Sequence, residues 1–146
     1  MREFKKILCG TDFSDSSYHA LEYGLRFAKS SDGILVVVHL VHVPAGDLIG
    51  EQSYTLNFEE VRAQMQAMLD DLHKTRLQSY PNAELLVDFG DPAQQLIKLA
   101  TDRDMDLIVT STHGRSGLSH LIMGSVAEKI IRHAPCPVFV VRADVD

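Results

Sequence analysis

The chain has no tryptophan, and among its 146 residues are only two cysteines, four tyrosines and six phenylalanines. The two cysteines match neither a metal-ligand spacing nor a redox pair. Cys9, inside an apolar stretch, and Cys136, between Pro135 and Pro137, read as buried free thiols of a reducing compartment. Loop aromatics are nearly missing: Tyr54 and Phe13 are too few to sandwich a flavin, which excludes a flavin carrier. No apolar run approaches the roughly 20 residues of a membrane span. The start, Met1 to Lys6, lacks the apolar region and cleavage site of a signal peptide, so a cytoplasmic protein is expected. Positive charge is also short. A net charge of −6 and a pI near 5.6 argue against general nucleic-acid binding.

What remains is ordinary globular composition in a length that suits one domain spanning 1–146. Ile7 to Gly10 is a short apolar strand that ends in a polar cluster, Thr11 to Ser17, rich in helix-capping types. The helix after it places Ala20, Leu21, Gly24, Leu25 and Ala28 on one face and stops at Ser30 to Gly33. Ile34 to Val41 is continuously apolar, as a strand covered on both faces must be. Pro44 to Asn57 has no period and is long for a connection, which leaves a surface loop or a flap over a ligand.

The second helix runs from Phe58 to about Ser79, with Phe58, Val61, Met65, Met68, Leu69 and Leu72 forming a core-facing stripe. Ala83 to Phe89 is the third strand. Asp91 caps the third helix, with Pro92 in its first turn, and Leu96, Ile97 and Ala100 face inward. Asp106 to Val109 makes a fourth strand, Val126, Ile130 and Ile131 the inner face of a fourth helix, and Val138 to Val141 the fifth strand.

Five strands alternating with four helices predict an α/β protein with a doubly wound parallel sheet and helices on both faces. With strand order 3-2-1-4-5, the order reverses between strands 1 and 4, and ligands bind beyond the strand ends at such a reversal. Thr11 and Asp12 then face the stretch from Thr110 to Val126, which concentrates Ser111, Thr112, Gly114, Ser116, Gly117, Ser119, Gly124 and Ser125. A strand that feeds a small-residue loop and a helix N-terminus is a phosphate-binding arrangement. Gly124 and Ser125 stand where unpaired N–H groups meet an anion, although two glycines and a serine also build an ordinary turn and cap. Asp12 suits a ribose diol or a helix cap. His39 reads as a hydrogen-bonded, half-buried imidazole beside Leu40.

Several stretches together resemble the universal stress protein family: Ile7 to Ser14, His39 to Val41, Gly90-Asp91-Pro92, Thr112 to Gly114 through Gly124 to Glu128, and His133 to Val138. The resemblance spans essentially the whole chain. The ATP-binding branch of that family carries Gly-x2-Gly-x9-Gly-Ser/Thr after strand 4. Gly114, Gly124 and Ser125 match it, while Ser111 occupies the position of the first glycine.

The resemblance implies a Rossmann-like fold of the adenine nucleotide alpha hydrolase-like kind. It also implies ATP, ADP or AMP as ligand, with Mg²⁺ held only through the phosphates. Asp12 would hold the ribose, and Gly10, Thr11 and the backbone of Leu40 would line the adenine pocket. Thr110, Ser111 and Gly114 would flank ribose and α-phosphate, with Gly124, Ser125 and Val126 on the outer phosphates. Arg115, in the same loop, either reaches the phosphate tail or is an ordinary solvated arginine.

The family further implies a homodimer that pairs the last strand, Val138, Phe139, Val140 and Val141, across a two-fold axis. The expected role is nucleotide-dependent signalling in a stress response. A dimer without nucleotide is the alternative. The Gly-x4-Gly-Lys phosphate loop and the His-x-Gly-His pattern are both missing, so enzymatic activity is at most slow ATP hydrolysis.

Overall fold

The computed structural model describes residues 3–43, 57–113 and 123–142. In chain order the elements are β1 (Lys6–Gly10), α1 (Asp15–Ser31), β2 (Ile34–Val41), α2 (Phe58–Thr75), β3 (Ala83–Phe89), α3 (Pro92–Asp102), β4 (Leu107–Ser111), α4 (Ser125–His133) and β5 (Val138–Val141). All strand pairs are parallel, in the order β3-β2-β1-β4-β5.

The central strand explains the arrangement. Ile7, Leu8 and Cys9 are each 0% exposed, so both faces of β1 must be covered. Alternation sends Ile7 and Cys9 to one side, where they pack with Leu35, Val37, Leu107 and Val109 beneath α1 and α2. Leu8 goes to the other side, with Val36, Val38 and Ile108 beneath α3 and α4. A helix layer on each face is the consequence.

Three helices begin at side-chain caps. Ser14, Asn57 and Asp91 accept hydrogen bonds from the backbone N–H groups of Ser17, Glu60 and Gln94, respectively. Asp106 stands before β4 rather than inside it, and its carboxylate accepts from the amides of Lys5 and Lys6 at 3.1 and 2.9 Å.

Further expectations from the sequence need correction. The buried face of α3 is Ala93, Leu96 and Ala100, and Ile97 is only half-buried. The inner face of α4 is Ala127 and Ile130, with Ala134 just past its end packed against the same core, while Val126 and Ile131 are exposed. Burial of Ala127 and Ile130 turns Val126 and Ile131 outward. The second helix ends at Thr75, because Gln78 and Ser79 turn left-handed. Met68 is exposed and Met65 only packs at the margin, so Leu69 and Leu72 anchor α2.

The sheet edges differ. Arg62 Nη1 and Gln66 Nε2 of α2 donate to the carbonyls of Val87 and Leu85 at 2.7 and 3.4 Å, covering β3. At the other edge, Pro137 and Val141 turn their carbonyls to β4, and alternation directs those of Val138 and Val140 outward.

Neither cysteine is in a disulfide; Cys9 is buried and Cys136 only partly so. Burial pushes the Cys9 thiol from 9.0 up to about 12, opposed by a backbone hydrogen bond with Val109. A thiol reagent at neutral pH is therefore expected to label Cys136 in the native protein and Cys9 only after unfolding. Because the folded pKa is the higher one, the contribution of Cys9 to stability is full below pH 9 and declines from there toward pH 12. Rapid labelling of two native thiols would contradict the buried sheet centre.

Candidate functional site

The site is built where the chain leaves the carboxyl ends of β1 and β4. Cys9 pairs with Val109, so continuing the register sets Gly10 abreast of Thr110. From there β1 leads to α1 on one face and β4 leads toward α4 on the other. The two departures open a crevice at the reversal of strand order.

On the β1 side, Thr11 continues the sheet by donating its N–H to Val38 O at 2.9 Å. Its buried hydroxyl bonds to Ser17 Oγ at 2.9 Å and accepts from Phe13 N at 3.0 Å. Phe13 is held at φ 62°, an unfavourable region for a bulky residue. The Thr11 hydroxyl and the ring of His39, 4.6 Å from that of Phe13, hold it there. His39 donates from Nδ1 to Thr11 O at 2.8 Å, so the ends of β1 and β2 are pinned together. His39 is thus the half-buried, bonded imidazole expected from the sequence.

Asp12 is not itself the helix cap. Its Oδ1 accepts from Ser14 N at 3.0 Å and from Ser14 Oγ, and Ser14 in turn caps α1. The half-buried carboxylate is thereby oriented at the mouth of the crevice. Leu40, at the end of β2, is half-buried against the core of the α3 and α4 face.

On the β4 side, Ser111 Oγ donates to His113 O at 2.7 Å, and Thr110 Oγ1 donates to Ser111 O at 3.4 Å. Ser111 therefore uses its hydroxyl to shape the turn that follows the strand. Gly124 N donates to Thr112 O at 2.8 Å. A Cβ on Gly124 would stand 3.1 Å from that carbonyl and 3.9 Å from His113 Cα, so glycine permits the close seat. Unlike the other three described helices, α4 has no side-chain cap. Among the described residues no side chain covers its first-turn N–H groups, at the positive end of the helix dipole.

Gly10, Thr11, Asp12, Leu40, Thr110, Ser111, Gly124, Ser125 and Val126 thus all lie at the carboxyl end of the sheet or at the start of α4. Gly114 and Arg115, and the 44–56 part of the connection read as loop or flap, lie outside the described residues. Sequence reasoning set Ser14 and Ser17 in a capping cluster but missed their bonds to Asp12 and Thr11, and it missed that His113 is 7% exposed. Asp12 and Ser14, two apart before a helix, were the available signal for a local side-chain turn.

A groove of about 770 Å³ lies outside the crevice between α1 and α2, lined by Phe13, Tyr18, Met68, Leu72 and Arg76 among others. Arg76 stacks on Tyr18, 4.3 Å from the ring centroid. Among the described residues no cluster of three His, Cys, Asp or Glu side chains is placed to hold a metal ion. No described helix is long and apolar enough to cross a membrane.

A parallel sheet in this order, with a crevice at its reversal and an uncapped helix start beside it, defines a Rossmann-like α/β protein. Comparison with known proteins narrows it. Residues 3–142 match the model of the universal stress protein family, and the chain belongs to that family. A universal stress protein of Methanocaldococcus jannaschii is 34% identical over 140 residues, covering 95% of this chain and 82% of the relative. The solved structure of universal stress protein UspA from Lactobacillus plantarum superposes with a TM-score of 0.80 at 24% identity, covering 97% of this chain and all of that one. A universal stress protein crystallised in complex with cAMP has a TM-score of 0.70 at 23% identity, with 96% of this chain and 98% of that one covered.

The turn at Asp12 has its own test. Asp12→Asn keeps the accepting Oδ1 and is expected to change stability by less than about 0.5 kcal/mol, whereas Asp12→Ala loses about 1–2 kcal/mol. Urea denaturation measures both, and equal losses would show that the hydrogen bonds to Ser14 contribute nothing.

Proposed function

We propose that this universal stress protein binds ATP, or another adenine nucleotide, in the crevice between β1 and β4, and that occupancy signals in a stress response. The observation that carries the proposal is the start of α4. Gly124 stands where the other described helices have a side-chain cap, and its close seat on Thr112 holds the first-turn amides beside the crevice. Such a terminus is suited to phosphate. The cAMP complex of a related fold supports an adenine nucleotide as the ligand class.

In this reading Gly124, Ser125 and Val126 hold the outer phosphates through backbone N–H groups and the Ser125 hydroxyl. Asp12 accepts from the ribose hydroxyls, and Gly10, Thr11 and Leu40 line the base. Thr110 and Ser111 flank the ribose and α-phosphate. Gly114 completes the family motif, and Arg115 reaches the phosphate tail. Mg²⁺ enters through the phosphates. Hydrolysis, if it occurs, is slow, because only Asp12 and His113 are candidate bases and each has a structural bond to keep. The protein acts in the cytoplasm as a binding module.

The exposed carbonyls of β5 and the part-exposed Phe139 support pairing of two copies through that edge. Phe139 packs on Phe27 and Tyr23 at 5.1 and 5.4 Å between centroids, which extends the surface onto α1. Sedimentation at micromolar concentration is expected to give a dimer, and Phe139→Asp a monomer. A monomeric parent protein would remove the interface.

Calorimetry with ATP, ADP, AMP and adenosine tests the nucleotide reading. ATP is expected to bind at least tenfold more tightly than adenosine, an increment that charged hydrogen bonds readily supply. Ser125→Asp separates stability from binding: it favours the helix start but repels phosphate. Its melting temperature should hold or rise while ATP affinity falls at least tenfold and adenosine affinity stays. Heat from none of the nucleotides would leave the dimer without nucleotide as the reading.

A further inference from the structure

Among the described residues, His113 Nε2 is the only buried side-chain nitrogen or oxygen with no hydrogen-bond partner. The residue is 7% exposed, so water does not replace the missing partner from the surface. Its other ring nitrogen is engaged, Nδ1 lying 3.0 Å from Thr112 Oγ1. The backbone around it is fixed as well. Ser111 Oγ donates to His113 O, and Gly124 packs 3.9 Å, measured from its Cβ position, from His113 Cα. An unpaired buried nitrogen destabilises the fold, and a ligand able to pair with it gains from the relief.

We propose that the missing partner of His113 arrives with the ligand: a phosphate oxygen of the nucleotide bound at the α4 N-terminus accepts a hydrogen bond from Nε2. This rests on the nucleotide reading given above and assigns a positioning and specificity role within it. A deprotonated phosphate oxygen only accepts, so Nε2 carries the proton and Nδ1 accepts from the Thr112 hydroxyl. The arrangement makes His113 a reporter of phosphate. Adenosine fills the crevice and leaves Nε2 bare, while a phosphorylated nucleotide completes it.

Long-range proton–nitrogen spectra of the full chain with ¹⁵N-labelled histidine test this directly, His113→Gln supplying the assignment. The expected result is an Nε2–H tautomer whose Nε2 resonance moves with ATP and stays with adenosine. His113→Phe should melt no lower than the parent protein without nucleotide, bind ATP at least tenfold more weakly, and bind adenosine as before. His113→Gln, which sets an amide donor near the Nε2 position, should stay within about threefold of the parent protein for ATP. An Nδ1–H tautomer, or an unmoved Nε2 in a protein that calorimetry shows to bind ATP, overturns the role of His113 and leaves the nucleotide site standing. No heat with ATP removes both. If His113→Phe does not fold, the spectra of the parent protein decide alone.

Discussion

The pairing of β1 with β4 is the constraint on which the rest of the molecule depends. Ile7, Leu8 and Cys9 hydrogen-bond in register with Leu107, Ile108 and Val109 and are fully enclosed. Because the crossovers from these strands cover opposite faces, their ends must part, and a crevice forms without any residue being dedicated to it. Side chains then only have to line it. Thr11, Asp12 and Ser14 do so through a compact hydrogen-bonded turn, and Gly124 does so by letting α4 begin against Thr112.

The two walls are held differently. On the β1 side, side chains bond to side chains and to a neighbouring strand: Thr11 to Ser17, Asp12 to Ser14, His39 to Thr11. Phe13 is kept at positive φ by that same set. The geometry there is preorganised before any ligand arrives, which lowers the ordering cost of binding. On the β4 side, backbone contacts dominate, and one buried nitrogen, Nε2 of His113, has no partner among the described residues. The first wall suits recognition of base and ribose, and the second suits a response to phosphate.

Much of this frame was legible in the sequence, for physical reasons that differ from element to element. Ile34 to Val41 is apolar without interruption because β2 is covered on both faces, so strand and layer were readable together. Asp91-Pro92 announced the start of α3 through paired cap and first-turn preferences. The face of α4 was not readable. Val126, Ile130 and Ile131 look like a stripe, but the helix buries Ala127 with Ile130, and an alanine gives little sequence signal of a buried face. The work of Asp12 was half readable, since a cap-like carboxylate was evident and its indirect action through Ser14 was not. His113 was hidden entirely. A histidine among glycines and hydroxyls carries no local signal of burial, which arises from tertiary packing.

The central claim is that adenine nucleotide occupies the β1–β4 crevice with its phosphates on the start of α4. Backbone amide spectra recorded during an ATP titration test it most directly. The expected shifts cluster at Gly10 to Ser14, His39 and Leu40, Thr110 to His113, and Gly124 to Ala127. Shifts confined to Tyr18, Met68, Leu72 and Arg76 in the groove between α1 and α2, with those stretches unmoved, would contradict it.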